Sequence, residues 1–187
     1  MSKSNWYVIT GGPSCGKKTV LKLLKAMGYL VVKEVARGVI DRANRRGIST
    51  EELRKDEVKF QLSLLPLKAE LEKRFPRLKK LFLNRAMPDS IAYLENCGGD
   101  PKEALALCER NLYQKVFLLD QLSQFTPDYA RTEDIQAALR LNWLLRRAYE
   151  QLGYEVIAVP EMSPIPQLSI AKRLAFILTH VHEGEVR

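Results

Sequence analysis

The chain has 187 residues, of which 46% are apolar and 28% charged, and it carries a formal net charge of +8. That length suits one domain with a real core, and no apolar run approaches the roughly 20 residues a membrane span needs. The opening stretch, Met1 to Asn5, lacks the apolar core and cleavage site of a secretory signal, so a cytoplasmic protein is expected.

Three cysteines, Cys15, Cys97 and Cys108, agree with that: the number is odd, and no spacing suggests a disulfide framework or metal binding. The positive excess favours anionic partners such as nucleotides, nucleic acid or acidic headgroups. It gathers in clusters at Arg42/Arg45/Arg46, Lys73/Arg74/Arg77/Lys79/Lys80 and Arg146/Arg147. These read as solvated helix faces. A nucleic-acid surface is the sharper reading, but no aromatic-interleaved basic stripe accompanies it.

Residues 6–10, Trp-Tyr-Val-Ile-Thr, are β-branched and aromatic and end at two glycines, which predicts a buried strand. Lys17 to Met27 carries apolar residues at Val20, Leu21, Leu23 and Leu24, a helix stopped by Gly28. Tyr29 to Val32 is a second strand. Glu34 to Arg46 is a helix closed by Gly47. Ser49 and Glu52 form a capping box that opens a long helix to about Phe75, bent near Pro66. Leu78 to Leu83 is a third strand. Asp100-Pro101-Lys102-Glu103 is a helix start. Lys115 to Leu119 is a fourth strand, and residues 121–131, aperiodic and containing Pro127, read as a loop or lid. Glu133 to Leu152 is a helix stopped by Gly153, Tyr154 to Val159 a fifth strand, and 167–180 a last helix.

This alternation predicts an α/β fold: a five-stranded, mostly parallel sheet with helices on both faces. The short, wholly apolar strands fit a sheet covered on both sides. No repeat or linker divides the chain, so 1–187 is expected to be one nucleotide-binding domain with a lid-like segment at about 121–132.

The main chemical signal is Gly11-Gly12-Pro13-Ser14-Cys15-Gly16-Lys17-Lys18-Thr19. Gly11, four residues, Gly16 and Lys17 have the spacing of a P-loop, between a strand and a helix as that motif requires. Glycines let successive N–H groups turn toward phosphate oxygens, and the following helix adds the positive end of its dipole. Lys17 would reach the β- and γ-phosphates of ATP or GTP. The next position usually holds a Ser or Thr that ligates magnesium; here it is Lys18, and Thr19 points about 100° away on a helix. Three readings stay open: Mg2+ held by other groups and water, Lys18 replacing part of its charge, or a protein that mainly binds nucleotide. Cys15, at a helix N-terminus, is expected to be sensitive to oxidation or alkylation.

Residues 8–14 (VITGGPS), 32–37 (VKEVAR), 84–90 (NRAMPDS), 115–119 (KVFLL) and 152–157 (LGYEVI) together resemble the small AAA-type ATPase domain family related to the kinase domain of ribosylnicotinamide kinases. The likeness runs in order over nearly the whole chain. It implies a P-loop kinase-like fold, close to thymidylate and nucleoside kinases. The family usually has Asp-Arg after the third strand, the Asp acting near the substrate hydroxyl or the metal; this sequence has Asn84-Arg85. Gln61 resembles an acceptor-site position of the family.

Among the remaining candidates, Glu34 and Arg37 follow the second strand, at the edge where open α/β sheets bind ligands. Three residues apart on a helix, they share a face. They are expected either on the acceptor side or as an intrahelical pair. Asp89 is a carboxylate available to the site, or a helix N-terminal charge. Arg85 and the lid's Arg131 would stabilise charge in phosphoryl transfer, and Asp120 ends the fourth strand. His180 and His182 read as a polar tail. Three functions remain open: a kinase-like phosphotransferase on a nucleoside-like acceptor, a nucleotide sensor suggested by Lys18 with Asn84, and a nucleic-acid end kinase suggested by the charge.

Overall fold

The computed structural model describes residues 3–110, 112–123 and 132–183. Its strands are β1 (Trp6–Gly11), β2 (Leu30–Val32), β3 (Leu81–Asn84), β4 (Lys115–Leu119) and β5 (Val156–Val159). The helices are α1 (Lys17–Ala26), α2 (Val35–Arg45), α3 (Thr50–Leu53), α4 (Glu57–Lys73), α5 (Asp89–Asn96), α6 (Lys102–Leu107), α7 (Thr132–Glu150) and α8 (Pro166–His182). The sheet order is β2-β3-β1-β4-β5, and every pairing is parallel, in the register Ile9 with Asn84 and Gly11 with Leu119. All five strands therefore finish at the same edge.

Side-chain alternation along β1 divides the core in two. Trp6 and Val8 join Leu65, Ile91, Leu145 and Tyr149 under α4, α5 and α7. Tyr7 and Ile9 join Val20, Leu24, Ile170 and Ile177 under α1 and α8. A strand buried on both faces has no polar side to show, which is why the sequence presents apolar runs rather than alternation.

The long helix expected from Ser49 to Phe75 is two helices. Ser49 Oγ accepts from the Glu52 amide at 3.0 Å and opens α3, as the capping box predicts. Asp56 Oδ1 then accepts from the Lys59 amide at 3.0 Å and starts α4 afresh. The break thus falls at an N-cap, and Pro66, exposed on the outer side, lies inside α4. The predicted lid, with Arg131, lies outside the described residues except for 121–123 and the start of α7. His180 and His182 belong to the last turn of α8 rather than to a tail; His180 Nδ1 meets the Phe176 carbonyl at 2.9 Å and His182 Nε2 meets Tyr29 Oη at 3.2 Å.

Candidate functional site

The carboxyl edge of the sheet gathers the residues the sequence singled out. From β1 the chain turns through Gly12 to Gly16 into α1. Gly11 has φ +146, and a Cβ there would stand 2.7 Å from the Leu119 carbonyl oxygen and 2.9 Å from Cys15 Sγ. Gly16 has φ +79, and a Cβ would meet Ile170 Cδ1 at 2.4 Å. Both positions need glycine for conformation, and Gly11 for space as well, since its neighbour is backbone. Ser14, also left-handed at φ +55, completes the curl.

Lys17 folds back over this loop, its Nζ 3.4 Å from the Gly11 carbonyl and 3.8 Å from Cys15 Sγ. Burial, and next the charge of Arg85, lower its pKa from the ordinary lysine value, with Cys15, Glu34 and Asp89 acting the other way. Lys18 and Thr19 are exposed. Cys15, expected to be a reactive thiol, is only 1% exposed and packs in the core beneath α1 and α8, out of reach of a modifying reagent.

At the end of β3, Arg85 adopts φ +66, a strained conformation for a residue with a Cβ. Its Nε lies 2.8 Å from Glu34 Oε1, the N-cap residue of α2. Its Nη1 lies 3.3 Å from Asp89 Oδ1, and its guanidinium sits over the Tyr93 ring, 4.9 Å from the centroid. Asp89 is wholly buried. Besides Arg85 it accepts from Thr10 Oγ1 at 2.5 Å, the Ala86 amide at 2.9 Å and Tyr149 Oη at 2.5 Å. Four donors occupy this carboxylate, so the role expected of it at the reacting atoms passes to a supporting one. Glu34, by contrast, keeps 27% of its side chain exposed.

Glu34 and Arg37 do not act as a pair. Arg37 is 73% exposed and bonds Asp41 at 3.0 Å, one turn on and away from the site. Asn84 ends β3 beside Glu34 and Lys68, with its Oδ1 buried and unpartnered. Gln61 reaches the site only at second hand, donating to Glu57 at 2.8 Å. Glu57 takes both arms of Arg54, at 2.8 and 2.9 Å. These two residues, with Pro13, Ser14, Tyr93 and Leu141, line a cavity of about 430 Å³ beside the loop, within the usual range for small-molecule sites.

The model of a family described as an AAA domain matches residues 6–164. The chain belongs to that family. No curated protein matches its sequence. Among solved structures it is similar to thymidylate kinase from Ehrlichia chaffeensis (14% identity, TM-score 0.68, covering 97% of this chain and 100% of that one). It is also similar to deoxyadenosine kinase from M. mycoides with bound dATP (15%, 0.63, covering 95% and 99%). A third is NadR in complex with NR (15%, 0.67), of which it spans half the length while 97% of this chain is covered. At such identities the likeness shows a P-loop kinase fold.

In this AAA-domain protein two supports of the loop come from far along the sequence, and neither was singled out by motif reading. Arg173 of α8, fully buried, donates to the carbonyls of Cys15, Asp120 and Pro160 at 2.7, 2.8 and 2.8 Å, tying the loop to the ends of β4 and β5. Asn142 of α7 accepts from the Gly12 amide at 2.6 Å and donates to the Leu119 carbonyl at 3.3 Å. Thr10 anchors Asp89. The signal was present in spacing: Arg173 stands on the buried stripe Ile170, Ile177, Val181, and Asn142 beside Ala138, Leu141 and Leu145. The donor set does not fit a magnesium ion held by the protein. Lys18 replaces the usual hydroxyl, Asp89 is saturated, and the described residues contain no cluster of three His, Cys, Asp or Glu able to hold a metal.

Proposed function

We propose that this chain is a P-loop kinase that transfers the γ-phosphoryl group of ATP or GTP to a hydroxyl of a nucleoside-like acceptor. The observation that carries this reading is the meeting of Lys17 with the Glu34–Arg85 pair at the sheet edge, beside a cavity large enough for an acceptor. The 11–19 loop holds the triphosphate through the N–H groups of residues 14–18, the α1 dipole and Lys17, the Gly12 amide being taken by Asn142. An ammonium already short of counter-charge gains by meeting phosphate oxygens.

The acceptor occupies the cavity lined by Arg54, Glu57 and Tyr93. Its hydroxyl oxygen attacks Pγ, the O–Pγ bond forms, and the bond from Pγ to the bridging oxygen breaks to release the diphosphate. The hydroxyl proton passes to Glu34, the carboxylate of the pair that retains exposure. Arg85, held by Glu34 and Asp89, neutralises charge on the moving phosphoryl group. The names of the similar folds, deoxyadenosine kinase and thymidylate kinase, support a nucleoside or nucleotide acceptor. The test is a screen of nucleosides, nucleotides and pyridine nucleosides with ATP and GTP, read by mass spectrometry. An ATP- or GTP-dependent phosphorylated product that disappears in Lys17→Ala supports the reading; a screen without product removes it.

A second reading, a nucleotide sensor with negligible turnover, is favoured by Lys18 and by Asn84 in place of an acid. It predicts tight nucleotide binding by calorimetry that excess chelator leaves unchanged.

A further inference from the structure

The turn from Asn84 to Met87 presents Arg85, and three amide hydrogen bonds hold it. The Arg85 amide donates to the Ile9 carbonyl at 3.2 Å. The Ala86 amide donates to Asp89 Oδ2 at 2.9 Å, and the Met87 amide to Glu72 Oε1 at 2.9 Å. The first two partners belong to the sheet and to the turn's own helix. The third comes from outside, from the last turns of α4.

Glu72 stands between two spaces. One is a void of about 10 Å³ shared with Lys68, Asn84, Arg85 and Glu34. The other is a cavity of about 320 Å³ lined by Trp6, Phe75, Met87, Leu112, Arg77 and Glu109. Trp6 begins β1 and Leu112 precedes β4, so this second cavity lies at the amino edge of the sheet, opposite the P-loop. The Tyr113 hydroxyl reaches both oxygens of Glu72, at 3.0 and 2.9 Å. Lys68, one turn back, turns its ammonium to Ser90 Oγ at 2.7 Å. The bonded donors of Glu72 are thus neutral, and with Met87, which also lines the far cavity, it links that cavity to the turn that aims Arg85.

We propose that Glu72 is a positioning residue for Arg85: it grips the Met87 amide firmly when ionised and loosely when protonated, and so makes the aim of the guanidinium depend on pH. The proposal rests on the reading that Arg85 serves phosphoryl transfer. An N–H donor bound to a carboxylate makes a stronger bond than one bound to a neutral carboxyl. Burial raises the Glu72 pKa to about 7, against the hydrogen bonds of Tyr113 and Met87 and the charge of Lys68, so both states are populated near neutrality. The groups facing it from the packed elements are Lys68 on its own helix, Asp89 on α5, Cys108 after α6, Tyr113 before β4, and Tyr149 and Tyr154 from the α7 side. Lys73, Arg77 and Glu109 line the cavity. Of these, Glu72 is the group that burial raises to about 7 and that holds the Met87 amide.

The test follows the backbone amides of Met87 and Arg85 and the Arg85 Nε–H by NMR from pH 5.5 to 8.5. These signals are expected to shift together with one midpoint near 7, and Glu72→Gln to leave them flat. In the Trp143→Phe background, Trp6 fluorescence should report the same midpoint. Where a phosphorylated acceptor is found, Glu72→Gln should lower kcat about fivefold at pH 8, leave KM for ATP unchanged and erase the acid limb at 7. Should Glu72→Gln not fold, Tyr113→Phe, which removes a donor to the ionised form, should move the midpoint upward. Signals of Met87 and Arg85 that ignore pH between 6 and 8, or that titrate unchanged in the variants, would overturn the proposal. The NMR readout needs no turnover, so an acceptor screen without product counts against the kinase reading and leaves this decision to the amides.

Discussion

Asp89 sits at zero exposure with donors from Thr10, Arg85, Ala86 and Tyr149, and such a carboxylate has no neutral substitute of the same shape. Asparagine would turn an NH2 group toward the hydroxyl protons of Thr10 or Tyr149. Asp89→Asn is therefore expected to cost about 3 kcal/mol in urea denaturation, the order seen when one partner of a buried charge cluster is lost. Tyr149→Phe should cost only about 1 kcal/mol, since it removes a single donor. Glu72 pulls the other way. Its carboxyl titrates at about 7 in the folded chain against an ordinary 4.5, so the native state keeps a proton that the unfolded state releases. The stability this contributes is complete below about 4.5 and is lost as pH rises through 7. That makes roughly 3 kcal/mol between pH 4.5 and 8, and Glu72→Gln should remove that slope. Urea midpoints of both proteins at pH 5 and pH 8 check it. The carboxylate state that grips the turn is the one the fold tolerates least, a trade of stability for site geometry.

At the scale of elements, the strands at residues 6–11 and 115–119 were legible because they are apolar runs buried on both faces, the first closed by glycines. The P-loop was legible because its residue types follow from local backbone shape. The division of the predicted 49–75 helix was not, because Asp56 looks like an ordinary surface charge until its side chain is seen capping Lys59. Arg173, Asn142 and Lys68 were missed for a related reason: a polar residue in a helix reads as solvated unless its spacing places it on the apolar stripe. Read by spacing, Lys68 falls on the stripe of Leu64 and Leu65, and the structure leaves it 7% exposed. Arg173 is the element-scale anchor, joining α8 to the loop and to two strands. Arg173→Met keeps the bulk of the side chain but leaves three carbonyls unpaired. It is expected to lose about 3 kcal/mol of stability, and to weaken ATP binding about tenfold by calorimetry, with Arg173→Lys intermediate because an ammonium lacks the planar fork.

Over the whole molecule, the sheet has one edge that gathers chemistry and an opposite edge that holds a separate cavity. Parallel pairing of all five strands produces this polarity, since every strand ends in a loop on the same side. Side-chain reach then ties the two edges together through α4 and the β3 turn, and ties the loop to α7 and α8. Nucleotide binding is accordingly expected to slow hydrogen exchange beyond the loop, in the first turns of α8 and around Asn142. Protection confined to residues 11–26 would show that these tethers carry no load from the ligand.

The tether from α8 also sets an order of events for a chain emerging from the ribosome. Cys15 and Arg173 lie 158 positions apart, so the loop is made among the first residues described and is braced among the last. While α8 is still inside the exit tunnel, the nascent sheet has its glycine loop but not the guanidinium that holds it in shape. Nucleotide is therefore expected to grip the nascent sheet only weakly, short by the roughly tenfold that Arg173→Met is expected to remove. Full affinity is expected only when translation has delivered the helix that closes the circuit, so that tight binding would report that α8 has been made and docked.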